Sequence, residues 1–201
     1  MNIRHRLSPE DMREKILVVA EEHFRRIGYG KTAVADIAAA MNMSPANIYR
    51  FFPSKLAIND ALCSRIMQET DALIGSIVAR DEPASVRLVS LIVELHRHNK
   101  AKLTDEHRLF DMVEVAIEEN WPAIEKHCEC LVCQIGKVVA EGIAAGEFRA
   151  VEPLEFAHTA FNAAAKAIHP TMIAQCTRFA AVDQEDQARR IAGLILDALR
   201  P

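Results

Sequence analysis

Apolar residues recur at helical spacing along most of this chain, and serine or proline residues stand where the helical patterns begin. Ser8-Pro9 precedes a first apolar stripe that consists of Ile16, Ala20, Phe24 and Ile27. Ser44-Pro45 and Ser54 open two further helices. Later helices begin at Pro83, Pro122 and Pro153, and Pro170 interrupts one. No alternating strand pattern competes with these helices, so the sequence predicts an all-α protein of about nine helices.

The composition and the charge distribution refine this picture. Half of the 201 residues are hydrophobic and only 5% are aromatic; alanine and leucine, both strong helix formers, are common. Residues 1–55 contain nine Lys/Arg and six Asp/Glu, whereas residues 56–201 contain fifteen and twenty-two, for a net charge of −4 overall. A basic N-terminal part on an acidic body is typical of a protein in which only one end meets phosphate.

The sequence also predicts where the protein is located. No apolar run approaches the ~20 residues that a membrane-spanning helix needs, and the first residues lack the apolar core of a signal peptide. We therefore expect a cytoplasmic protein without a membrane partner, in which the five cysteines are reduced thiols.

Residues 31–55 carry the most specific pattern, which predicts two short helices joined by a tight turn. Asn42 stands where the turn needs a left-handed backbone, and asparagine tolerates that conformation better than most residues do. The predicted inward side of the pair, called the platform here, consists of Ile37, Ala38, Met43, Ile48 and Phe52. The outer side of the second helix is left with Pro45, Ala46, Asn47 and Arg50. A helix-turn-helix presents its second helix to the major groove of DNA in this way.

The side chains around the second helix suit double-stranded DNA as a partner. Asn47 and Arg50 can hydrogen-bond to base edges, asparagine best to adenine and arginine best to guanine. Tyr49 can offer its hydroxyl to a phosphate. Lys55 stands at the start of the fourth helix, where its charge adds to that of the helix N-terminus.

This segment resembles the N-terminal domain of tetracycline-repressor-type (TetR family) transcriptional regulators. The family pattern is matched by Thr32, Ile37-Ala38, Met43-Ser44, Ile48-Tyr49, Phe51-Phe52 and Lys55, with Phe24 and Gly28-Tyr29 upstream. Two positions depart from it, since Asn42 replaces the usual turn glycine and Pro45 occupies a recognition-helix position that is often polar.

The resemblance implies a role for each matching residue and a division of the chain. Phosphate contacts are expected from Thr32, Ser44, Tyr49 and Lys55, and base reading from Pro45, Ala46, Asn47 and Arg50, although Pro45 offers the least polar chemistry. Residues 1–55 would form the helix-turn-helix DNA-binding domain, and residues 56–201 the effector-binding and dimerisation domain. The implied function is a ligand-responsive regulator, most simply a repressor.

One recognition helix reads few base pairs, so we expect a homodimer on a palindromic operator with half-sites about 34 Å or more apart. The eighth and the last helices carry small and apolar residues that allow close helix approach. The predicted dimer interface consists of Phe156, Ala160, Ala163, Ala164, Ala167, Ala188, Ile191, Ala192, Ile195 and Leu199.

The resemblance also implies a small-molecule effector enclosed by the middle helices. The predicted pocket lining consists of Met67, Leu91, Leu95, Phe110, Glu114, Ile117, Trp121, His158, Phe161 and Asn162. A mostly apolar pocket with a few polar groups suits a small apolar or aromatic molecule. No cofactor is predicted.

Other functions remain as alternatives. Cys128, Cys130 and Cys133, with His127 beside them, allow a thiol- or metal-responsive regulator of the same fold. On one helix, however, Cys128 points about 140–160° away from the other two cysteines, which disfavours a three-cysteine metal site.

A helical protein-interaction adaptor is a further alternative. An enzyme is not predicted, because the sequence has no nucleophile elbow, phosphate loop, HExxH or dinucleotide motif.

Overall fold

The computed structural model describes residues 8–105, 107–119, 121–179 and 183–201, with the side chains of these residues except 103–110 and 176–179. These ranges contain ten α-helices and no strand, which confirms the all-α prediction. The helices are α1 (Pro9–Ile27), α2 (Val34–Ala40), α3 (Pro45–Tyr49), α4 (Lys55–Val78), α5 (Ala84–Asp105), α6 (His107–Glu118), α7 (Pro122–Ala144), α8 (Pro153–Ile168), α9 (Pro170–Phe179) and α10 (Gln184–Asp197).

Pro170 accounts for the difference from about nine helices. As the sequence predicted, Pro170 interrupts the helical run, because α8 ends at Ile168; it also begins a further helix, α9. Proline is tolerated in the first turn of a helix because the N–H that it lacks would have no partner inside the helix there. Among the helices of the described ranges, none has the length and apolar character needed to cross a membrane.

The described residues form two compact units. The first unit contains the described residues up to Ile66 and the described residues of the range 107–124. The second unit contains Met67–Asp105 and the described residues from Glu125 onward. The helix α6 therefore lies in the first unit, whereas the division predicted at residue 55 groups it with the body. The helix α4 contributes residues to both units.

The core of the first unit is formed by apolar side chains of α1, α2, α3, α6 and the beginning of α4. On α1 the buried residues are Ile16, Ala20 and Phe24, each with no exposed surface. Ile27, predicted on the same stripe, is 37% exposed because α1 ends at this residue. The other helices contribute Ile37, Ile48, Ile58, Leu62 and Met112, which are equally buried.

The second unit is built around α5, which packs against α8, α9 and α10. The buried residues of α8 include Ala157, Ala160, Ala164 and Ala167. Small side chains let helix axes approach closely, so the alanine-rich face of α8 favours this packing. Gly142 on α7 allows a similar approach, because a Cβ atom there would lie 2.2 Å from the ring of Phe148.

Glu147 holds the N-terminus of α5. Its carboxylate accepts hydrogen bonds from the backbone N–H groups of Ala84 (2.9 Å) and Ser85 (3.0 Å) and from the Ser85 hydroxyl (2.8 Å). These bonds satisfy N–H groups that have no partner inside the helix. They also hold the pKa of the Glu147 carboxyl below its ordinary value, with the Ser85 N–H as the largest cause.

Replacing this carboxylate is expected to destabilise the protein in a pH-dependent way. Because the folded-state pKa is lowered, the contribution of Glu147 is complete above the unfolded-state pKa and is lost as the pH falls through the folded-state pKa. Glu147→Gln should lower the free energy of unfolding by about 1 kcal/mol at neutral pH, as measured by urea denaturation. The difference from wild type should disappear in acid, and Glu129→Gln, at an exposed position on α7, should show neither effect. An equal loss at both pH values would contradict a charge-dependent cap.

Candidate nucleic-acid interface

The turn between α2 and α3 has the left-handed geometry expected at Asn42. The φ angle of Asn42 is 53°, the only positive value at a non-glycine residue of the described ranges. The N–H of Met43 donates to the carbonyl of Ala38 (2.8 Å), and the N–H of Asn42 donates to that of Ala39 (3.0 Å). This pair of bonds is the Schellman motif, which ends α2 and turns the chain toward α3.

The platform beneath α3 is also present. Ile37, Ala38 and Ile48 have no exposed surface, and Phe52 is 1% exposed. Met43 is half-buried under the turn. These contacts fix which side of α3 faces away from the core.

The outward residues of α3 and its ends form what we call the recognition face: Ser44, Pro45, Ala46, Asn47, Tyr49 and Arg50. Asn47 is half-buried, Tyr49 is 49% exposed and the other four are exposed. Ser44 occupies the N-cap position of α3 with an extended backbone, but its hydroxyl makes no capping bond. Instead, the N–H of Asn47 donates to the carbonyl of Ser44 (2.9 Å). The hydroxyl of Ser44 is thus turned outward with the rest of this face.

Thr32 has a different place from the one predicted. It is 2% exposed, and its hydroxyl donates to the carbonyl of Gly28 at the end of α1 (2.9 Å). It does not cap α2 either, because the carboxylate of Asp36 accepts the hydrogen bond from the Ala33 N–H (2.7 Å). The sequence predicted a phosphate contact for the Thr32 side chain, whereas in this structure its hydroxyl is engaged within the chain.

Lys55 is also turned inward. Its Nζ donates to the carbonyl of Tyr29 (2.6 Å) and lies 4.3 Å from the centre of the Tyr29 ring. Burial lowers the pKa of the Lys55 ammonium, and the carboxylate of Asp36 opposes this shift. Lys55 thus ties the loop between α1 and α2 to the first turn of α4 in this structure, whereas the sequence predicted an open phosphate ligand.

Two further contacts that the sequence did not reveal support the recognition face. The guanidinium of Arg13 donates to the carbonyl of Phe51 and lies 4.2 Å from the centre of the Phe52 ring. The rings of Phe24 and Tyr29 meet edge to face at 5.6 Å. Arg13 and Phe51 are 38 residues apart along the chain, so no helical period could have indicated this contact.

Only some of the residues predicted to line the effector pocket are buried or half-buried in the second unit. Leu91 and Leu95 are each 1% exposed, as core residues are, and Met67 and Phe161 are half-buried. His158 and Asn162 lie on the exposed side of α8. The sequence predicted these two residues as lining of an enclosed pocket, whereas their four-residue spacing places them on the solvent face of α8.

The remaining predicted pocket residues lie in the first unit. Trp121 is 5% exposed, and its indole N–H donates to the carboxylate of Glu119 (2.9 Å). Glu114 and Ile117 are half-buried on α6. The side chain of Phe110 lies outside the described residues.

The structure places most of the residues predicted for the dimer interface inside the chain. Seven of its ten residues are at most 6% exposed within one chain, because α8 and α10 pack against each other there: Ala160, Ala164, Ala167, Ala188, Ala192, Ile195 and Leu199. Phe156 and Ile191 are half-buried, and Ala163 is exposed. On the outer faces, Leu154 is 47% exposed and Leu194 is 71% exposed.

In the part of the chain that the structure describes, Cys128 and Cys130 are half-buried on α7 and Cys133 is exposed. Burial raises the pKa of the Cys128 and Cys130 thiols, and the Asp71 carboxylate raises both further. A raised pKa lowers the thiolate fraction that reacts with oxidants. His127 Nδ1 lies 2.6 Å from Asp71 Oδ1. No group of three or more His, Cys, Asp or Glu side chains suited to a metal ion occurs in the described ranges.

Comparison with known proteins identifies the family of this chain. The model for bacterial regulatory proteins of the tetR family matches residues 16–62. The model for the tetracyclin repressor-like C-terminal domain matches residues 84–191, which is more than half of the chain. The chain therefore belongs to the TetR family of DNA-binding transcriptional regulators.

Individual relatives are distant. The HTH-type transcriptional regulator LuxR of Vibrio harveyi is 25% identical over 88 residues, which span 44% of this chain and only 43% of LuxR. A TetR/AcrR-family regulator from Thermobifida fusca superposes with a TM-score of 0.64 and 24% identity, over 95% of this chain and all of that one. FadR from Bacillus subtilis, solved with stearoyl-CoA, superposes with a TM-score of 0.64 and 16% identity, over 93% of this chain and 99% of FadR. These two superpositions show the shared fold.

The salt dependence of DNA binding distinguishes a positioning lysine from a phosphate ligand. Each phosphate contact that is lost reduces the slope of log K against log salt by about 0.9. We expect Lys55→Met to weaken DNA binding and lower the melting temperature without changing this slope, because it frees the loop at Tyr29.

Lys31→Met is the matched control for this measurement. Lys31 is an exposed lysine of the same loop, so its removal changes the charge equally while leaving the Tyr29 contact intact. It should not lower the melting temperature. A reduced slope with an unchanged melting temperature for Lys55→Met would mean that Lys55 leaves Tyr29 and binds phosphate.

Proposed function

We propose that this protein is a ligand-responsive transcriptional repressor that binds a palindromic operator as a homodimer and is released by a small apolar or aromatic effector. The observation that carries this proposal is the recognition face, which presents amide, hydroxyl and guanidinium groups from a short helix on a platform that is buried except for the half-buried Met43. The family of the chain supports transcriptional regulation and DNA binding. Repression, the operator, the effector and the dimer are proposals.

The chemistry of the recognition face favours a division between residues that read bases and residues that bind phosphate. Arg50 is exposed just after α3, where a guanidinium can make a bidentate contact with guanine, and Asn47 can do the same with adenine. Ser44 and Tyr49 offer hydroxyls suited to phosphate oxygens. Pro45 and Ala46 have no polar side chain, so they suit close approach or contact with a thymine methyl group. We assign base reading mainly to Asn47 and Arg50.

A homodimer would use the outer faces of α8 and α10. Their inner faces are already occupied within the chain, whereas Leu154 and Leu194 are large apolar residues that are 47% and 71% exposed. Ala163 is exposed on α8 as well, and Phe156 and Ile191 are half-buried. Two such helices from each subunit would form a four-helix interface. Leu194 on α10 is the most exposed of the large apolar side chains that the structure describes. A dimer interface on this face would cover it.

Effector release would act through a helix that both units share. The helix α4 contributes Ile58 and Leu62 to the first unit and Ile74 and Ile77 to the second, all without exposed surface. A ligand shifts such an equilibrium only by binding one state more tightly than the other. The complex of FadR from Bacillus subtilis with stearoyl-CoA supports the expectation that a protein of this fold accommodates a molecule with a long apolar part, the acyl chain.

The role of Arg50 is tested by the loss of base preference. Arg50→Ala should cost about 1–3 kcal/mol at one base pair of each half-site and should relax the preference there. Binding is to be measured by fluorescence anisotropy with the DNA upstream of the protein's own gene and with single-base variants of it.

Arg26→Ala is the matched control, since Arg26 is an exposed arginine on α1 outside the recognition face. It should weaken binding to all sequences alike, if at all. Unchanged affinity and unchanged preference for Arg50→Ala would mean that Arg50 does not read a base.

The dimer proposal predicts that Leu194→Asp raises the dimer dissociation constant by about tenfold or more, equivalent to 1.4 kcal/mol. A buried charge without a partner is costly at an apolar interface. Sedimentation equilibrium measures this constant directly. Met172→Asp, which changes an exposed apolar residue of α9, should leave it unchanged. A wild-type protein that stays monomeric, or a Leu194 variant as dimeric as wild type, would refute this interface.

A further inference from the structure

A small cavity lies inside the second unit, among α5, α8, α9 and α10. Its volume is about 10 Å³, which corresponds to the space that one water molecule occupies. The polar side chains that line it are His96, Lys166, Gln184 and Gln187, and the apolar part of the lining comes from residues such as Ile173. A cavity of this size with several polar groups is suited to a small polar molecule rather than to an organic effector.

His96 is the residue whose hydrogen bonding depends on this cavity. It is 2% exposed, and its Nδ1 lies 2.7 Å from the carbonyl oxygen of Ala167. A carbonyl only accepts, so Nδ1 carries the proton, and in the neutral imidazole Nε2 is left as an acceptor. Within the described residues, Nε2 is fully buried and no protein group donates to it. A buried acceptor without a donor costs free energy.

The charges around the cavity narrow the choice of ligand. A monovalent cation is disfavoured because Lys166 contributes a positive charge to the lining. An anion is disfavoured because the lone pair of His96 Nε2 would face it. A neutral molecule that both donates and accepts fits the lining, since the amides of Gln184 and Gln187 and the ammonium of Lys166 supply complementary groups. Water is the only such molecule that a volume of about 10 Å³ admits.

We propose that this cavity binds one structural water molecule, which donates a hydrogen bond to His96 Nε2 and bridges α5 to α8 and α10. The water accepts from Lys166 or Gln187 and uses its second proton on a neighbouring amide oxygen. It thereby completes the hydrogen bonding of His96 and links the helix at the centre of the second unit to the two helices that carry the proposed dimer surface.

Crystal structures of the full chain that resolve internal waters test this site, together with two-bond ¹H–¹⁵N correlation spectra of the histidine rings. The wild type should show a water within about 2.7–3.2 Å of His96 Nε2, and the spectrum should show the Nδ1–H tautomer. His96→Leu should lose the water. Lys166→Met should keep both the water and the tautomer, because the donor to Nε2 is the water and not the ammonium.

Other outcomes would overturn the proposal. It fails if the wild-type structure places Lys166 Nζ or a glutamine amide directly on His96 Nε2, if the cavity holds no water, or if the water lies out of reach of Nε2. It also fails if Lys166→Met changes the His96 tautomer. The wild-type and Lys166→Met measurements decide the question even if His96→Leu does not fold.

Discussion

The position of the recognition face depends on one backbone conformation, the left-handed turn at Asn42. With φ at 53°, the chain reverses so that the N–H groups of Asn42 and Met43 bond back to α2. A right-handed residue there would continue α2 and carry Ile48 away from the core. Because Ile48 has no exposed surface, the turn and the platform together determine which side chains face outward. Asparagine accepts this conformation at lower cost than most residues, although glycine accepts it more readily.

A second constraint lies beside the turn, where polar residues that are suited to phosphate form hydrogen bonds within the chain instead. Thr32 bonds to the end of α1, and Lys55 bonds to Tyr29. Both contacts hold the loop between α1 and α2, and Arg13 holds the segment after α3 in a similar way. The precision of base reading by Asn47 and Arg50 would then depend on these internal hydrogen bonds. Ser44 and Tyr49 would remain as the exposed residues that could contact phosphate.

The sequence predicted the features that depend on neighbouring residues. Helical spacing, prolines and the Asn42 turn are local, and so the helices and the recognition face could be located before the structure was known. The structure differs from the sequence-based expectation at Thr32, Lys55 and the α8 and α10 faces for a common reason. Tertiary packing determines which group a polar side chain bonds to and which helix an alanine-rich face contacts. Sequence periodicity does not encode that packing. The alanines of α8 suit either an interface or the interior of one chain, so only the packing of α10 showed that Ala160 and Ala164 are buried within the chain.

The central claim is that α3 reads DNA sequence from a dimer. Selection of bound sequences from random double-stranded DNA by the full-length protein tests it most directly. The account predicts a palindrome whose half-site centres are about one helical turn, ~34 Å, or more apart, with guanine or adenine conserved where Arg50 and Asn47 would reach. Enrichment of no sequence, or of a single half-site without symmetry, would contradict it.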